Sequence, residues 1–85
     1  MSPYAVYVHE KVLIEALPSG NTHKLVLQFI RDLADDPFQK GDFQDRDEAG
    51  HELEIKVVGS LAITYWVDLA VREVKVINLQ GADEG

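Results

Sequence analysis

The run His51-Glu52-Leu53-Glu54-Ile55-Lys56 brings an imidazole, two carboxylates and an ammonium within six residues. These are the groups of general acid–base chemistry, and on a strand the two-residue period puts Glu52, Glu54 and Lys56 on one side. Lys56 and His51 are the candidate catalytic pair if the chain is an enzyme.

Other chemistry is weaker. Asp45-Arg46-Asp47-Glu48-Ala49-Gly50 has acids at the first and third places of a calcium loop and glycine at the sixth. Ala49 at the fifth place and Lys56 at the twelfth, where a bidentate carboxylate belongs, break the match. His9, His23 and His51 fall in three separate elements without ligand spacing and are expected to be ordinary surface or rim histidines. There is no glycine-rich phosphate loop and no nucleophile elbow, and no metal or cofactor is expected. Tyr65-Trp66 offers aromatic faces for base stacking, although on an acidic chain core or sheet-face packing is the better reading.

The chain has 85 residues, no cysteine and a formal net charge of −7, with 46% hydrophobic and 27% charged residues. That length supports one core, and the missing thiols remove disulfides and thiolate metal sites. The negative charge repels phosphate backbones and anionic lipid and attracts a cationic partner. MSPYAVYVHEKVLIEAL shows neither a signal peptide nor a membrane span, so a cytoplasmic protein without a membrane partner is expected.

Alternation over Tyr4–His9 predicts a first strand. Val12, Leu13, Ala16 and Leu17 predict a short helix ended by Pro18 and Gly20. A second helix is predicted to be capped at Asn21 or Thr22, to carry the stripe Val26, Phe29, Ile30, Leu33, and to stop at Pro37. Three strands follow at roughly 51–58, 61–67 and 73–79. The fold class is therefore α+β: an N-terminal strand, an α-helical hairpin, then a three-stranded antiparallel β-meander. Residues 1–80 form the single domain, 81–85 a frayed tail, and the acid-rich segment 36–50 a long loop. A two-residue Gly59-Ser60 turn would set Leu53, Ile55 and Val57 on the opposite face from Leu61, Ile63, Tyr65 and Val67, so a longer loop or a bulge is expected there.

The element order, with LADDPF ending the second helix, IKVVGSLAITYWV as a hairpin and VKVINL as the last strand, resembles the RelE/ParE toxin superfamily along nearly the whole chain. Messenger-cleaving members carry alternating lysines and arginines where this chain has Glu52, Glu54 and Lys56. Their arginine after the hairpin turn aligns with Ala62, and their C-terminal arginine and tyrosine are missing from LQGADEG. The resemblance thus implies a toxin-like component of a type II toxin–antitoxin pair, acting by protein binding or with a degenerate ribonuclease site. The alternatives are a ribosome-dependent messenger endoribonuclease using Lys56 and His51, and an orphan protein-interaction domain. A cognate antitoxin is the implied partner, with DNA gyrase or the ribosome as implied targets; strong direct nucleic-acid binding is not expected. Asp42, Asp45, Asp47 and Glu48 are the candidate partner-binding residues, as a steering surface for a basic partner segment with apolar anchors.

Overall fold

The computed structural model describes residues 4–9 and 20–81. The strands are β1 (Ala5–Val8), β2 (Phe43–Arg46), β3 (Glu52–Val58), β4 (Leu61–Asp68) and β5 (Glu73–Gly81), with one described helix, α1 (Gly20–Asp35). They form a five-stranded sheet in the order β1-β5-β4-β3-β2, in which β1 runs parallel to β5 and the other neighbours are antiparallel. This corrects the expected architecture of strand, helical hairpin and three-stranded meander: the sheet is mixed and one helix is described. The helix expected around Val12–Leu17 lies outside the described residues. α1 begins at Gly20, so Asn21 and Thr22 fall inside the helix.

Two pairings were hidden from sequence patterning. β1 meets β5 across the length of the chain, with Val6 beside Val74 and Val8 beside Val76. The supposed loop 36–50 contains β2, whose four residues are all exposed and show no apolar alternation. Its antiparallel register on β3, Phe43 opposite Ile55 and Arg46 opposite Glu52, is fixed by polar contacts described below.

α1 lays Val26, Phe29 and Leu33 on one face of the sheet, against Ile63, Tyr65, Val74, Val76 and Leu79. Each fully buried aliphatic side chain of this set contributes about 1.5–3 kcal/mol through area removed from water. Phe29 meets the Tyr65 ring edge-on at 5.5 Å, a favoured geometry for aromatic quadrupoles. Pro37 disfavours helical backbone at Asp36, and the helix ends one residue earlier.

The β3–β4 turn is the two-residue one, with Val58 opposite Leu61 and Gly59 at φ +61°. The expected longer loop is therefore absent, and Leu53, Ile55 and Val57 point away from α1, beside Ala62, Thr64 and Trp66. A bulge occurs instead between β4 and β5, where Thr64 pairs with Asn78 and Tyr65 with Val76. The extra residue resets the parity of β5, so Leu79 joins Val74 and Val76 in the core. β5 also runs through Gly81, a residue expected to begin the tail.

Candidate functional site

Alternation along β3 places Glu52, Glu54 and Lys56 on the α1 side of the sheet, in the row that also holds Ile63 opposite Lys56 and Tyr65 opposite Glu54. None of the three charges stands alone. Arg46 Nη2 lies 3.5 Å from Glu52 Oε1, Lys40 Nζ 3.7 Å from Glu54 Oε2, and Asp42 Oδ1 3.8 Å from Lys56 Nζ. The segment 40–46 thus answers each β3 charge with its opposite, a match that appears only once KGDFQDR is set antiparallel to ELEIK.

Glu54 is the centre of this arrangement. Its side chain is only 12% exposed, and its Oε1 accepts hydrogen bonds from the Gly41 amide at 2.8 Å and Gln44 Nε2 at 3.0 Å. Burial pushes the carboxyl up, but Gln44, the Gly41 amide and Lys40 together outweigh it and hold Glu54 below the usual range. A Cβ on Gly41 would come within 2.5 Å of the Ile55 carbonyl oxygen, so only glycine lets the chain pass this close to β3. Beside it, the Tyr65 hydroxyl donates to the Gln39 carbonyl at 3.0 Å; desolvation, then the charges of Glu54, Asp42 and Asp36, push that phenol up to about 12.

A cleft of about 280 Å³ opens between residues 37–40 and the ends of β3 and β4, with Phe38, Lys40, His51, Glu52, Glu54 and Trp66 among its walls. His51 donates its backbone amide to Asp47 Oδ1 at 2.9 Å, and its Nδ1 lies 2.8 Å from Asp47 Oδ2. The His51 hydrogen bond is also the main reason that Asp47 sits below the usual carboxylate range. The imidazole stacks on Trp66 at 3.9 Å, and Lys75 Nζ, paired with Asp68 Oδ2 at 3.0 Å, lies 5.4 Å from the Trp66 ring centre. An Asp–His pair of this kind fixes a ring for proton transfer, yet the acids of the cleft exceed its lysine, which disfavours a phosphate nearby.

The candidate catalytic residues are not brought together. Lys56 lies in β3 on the α1 side, whereas His51 precedes β3 and stacks on Trp66 on the opposite face, five residues and about 17 Å of extended chain away. His9 follows β1 and His23 lies in α1, so neither shares an element with His51. Ala62 is buried on the face away from α1. Tyr65 is core and Trp66 a sheet-face residue, as the packing reading expects.

The four candidate partner-binding acids of segment 36–50 have different duties. Asp42 Oδ2 accepts from the Val57 amide at 2.9 Å and Asp45 Oδ1 from the Arg46 amide at 2.8 Å, while Asp47 closes the β2–β3 turn through His51. Glu48 is exposed in that turn, which Gly50 completes at φ +87°. The carboxylates of Asp42, Asp45 and Asp47 are thus engaged with backbone amides, Lys56 and His51, and no cluster of three or more metal-binding side chains occurs among the described residues. No described helix is long and apolar enough to cross a membrane.

No family model and no curated protein matches the sequence. Among solved structures, a chain of the archaeal RelE–RelB complex from Pyrococcus horikoshii OT3 superposes with a TM-score of 0.79 at 16% identity, over 96% of this chain and 98% of that one. Likeness at so low an identity shows the fold alone, and the fold is RelE-like.

Proposed function

We propose that this chain is the toxin-like component of a type II toxin–antitoxin pair and acts by binding protein, without cleaving messenger RNA. The observation that carries the second half is the β3 row: Lys56 is tied to Asp42, and Glu52 and Glu54 are carboxylates at positions where the resemblance to messenger-cleaving toxins implies cations. The RelE-like fold supports the first half, since the structural neighbour belongs to a RelE–RelB complex. An antitoxin encoded by a small adjacent reading frame is the expected partner, in the cytoplasm, with DNA gyrase and the ribosome as targets to be assayed.

The test is incubation of the purified chain with translating ribosomes, followed by mapping of messenger ends. No cleavage above background is expected. Site-specific cleavage that disappears in Lys56→Ala, with the variant still folded by circular dichroism, would establish the endoribonuclease instead. Coexpression with the adjacent frame tests the pairing: a change in solubility or toxicity is expected, and indifference to it would leave an orphan interaction domain.

A further inference from the structure

The sheet face turned away from α1 is apolar and carries no described element. Tyr7, Phe43 and Val57 on it are between 36% and 60% exposed, and Ile55 and Trp66 are half-buried between them. The same face holds four carboxylates, Asp45, Asp47, Asp68 and Glu73, against one described ammonium, Lys75. Two such faces repel each other, which argues against a second copy as the occupant. A basic partner matches both the apolar floor and its acidic border.

The type of segment follows from the sheet edge. β2 is only four residues long, and the Asp45 carboxylate already takes the Arg46 amide, which blunts strand addition there. A face, unlike an edge, is covered by another layer, and a helix is the smallest one. From β1 to β2 there are four interstrand steps, about 19 Å at the usual spacing, which about 13 residues of α-helix span. We infer that this face is the seat of a basic amphipathic helix of three to four turns from a partner protein. The inference draws on the protein-binding reading above only for who supplies the helix; the binding itself is measurable without any toxicity.

Trp66 is the only tryptophan of the chain and stands on this face, so its emission reports occupancy. The probe is a 14-residue peptide of leucine, lysine and alanine with leucines at i, i+3, i+4 and i+7, titrated into the full chain, beside a second peptide with glutamate for lysine. Saturable binding of the lysine peptide is expected, with none of the glutamate peptide. Val57→Glu and Tyr7→Glu are each expected to weaken it at least tenfold, although both make the chain more acidic. Leu27→Glu, which adds the same charge on α1, is the control and should leave affinity unchanged or slightly tighter. Binding that tightens in all three variants would mean attraction by charge alone and would overturn the proposal. So would failure of the wild type to bind, or a dimer by sedimentation that Val57→Glu dissolves. Circular dichroism of each variant confirms that loss of binding is not loss of fold.

Discussion

Replacing Glu54 with alanine tests whether segment 40–46 is held to the sheet by this one carboxylate. The Gly41 amide would lose its acceptor in a close-packed spot, at a cost of about 1–3 kcal/mol. The Gln44 bond is exposed and the Lys40 pair joins a side chain that is 76% exposed, so together they add less than about 1 kcal/mol. Relief of the desolvation that opposes the charge returns part of this. The expected net loss is about 1–3 kcal/mol, a sizeable share of the roughly 5–15 kcal/mol typical of a domain. Urea unfolding monitored through Trp66 measures it as a lowered midpoint at unchanged slope. Glu54→Gln keeps an oxygen for the Gly41 amide and should recover at least half the loss, while Glu52→Ala, at a side chain 79% exposed, should cost under about 0.5 kcal/mol. Equal effects of Glu54→Ala and Glu52→Ala would refute the reasoning, because the difference between them rests on burial and the Gly41 bond.

Three further outcomes are expected. Ile63→Ala removes a side chain with no exposed surface and should cost about 2–5 kcal/mol by the same urea assay; under about 1 kcal/mol would take Ile63 out of the core. Tyr65 keeps its proton more tightly folded than unfolded, so its contribution is complete below the unfolded value near pH 10 and is lost as pH climbs toward about 12; alkaline unfolding should shift upward in Tyr65→Phe, and identical alkaline midpoints would contradict this. Asp45→Asn with Glu48→Gln removes acidic charge while sparing the Asp42 and Asp47 carboxylates that hold the amides of Val57 and His51, and asparagine keeps an oxygen for the Arg46 amide; the pair should slow association with a basic partner by stopped flow, most at low salt, and an unchanged rate would end the steering role of this segment.

Where residues repeat with a clean period, the chain was readable. The stripe on α1 and the alternation of β4 marked Val26, Phe29, Leu33, Ile63 and Tyr65, all of them buried. β2 escaped because FQDR buries nothing and owes its place to ion pairs and the Gly41–Glu54 contact, which leave no period behind. The β3–β4 turn departs from expectation for a related reason: the apolar residues of the hairpin do not all share one face, since the sheet puts Ile55 and Val57 on the side away from α1. In the site, the face shared by Glu52, Glu54 and Lys56 was legible from spacing. Their partners Arg46, Lys40 and Asp42 were not, since a complementary charge becomes visible only when the register of β2 on β3 is known. His51 and Lys56 are near in sequence, but His51 lies just outside β3 and stacks on Trp66 on the face away from α1, which parts them.

The parallel pairing of β1 with β5 also sets a clock on the ribosome. Ala5 sits beside Glu73, 68 positions later by subtraction (73 − 5), and the core valines Val74 and Val76 arrive with that last strand. At about 5–20 residues per second, β1 waits roughly 3–14 s after its own synthesis before its neighbour exists. Contacts of such long separation form slowly in any case, because the loop must close before they reward it. Throughout that interval β1 is an unpaired edge and the hairpin of β3 and β4 has an open flank, so the nascent chain is most exposed to chaperones, proteases and aggregation until the final strand emerges.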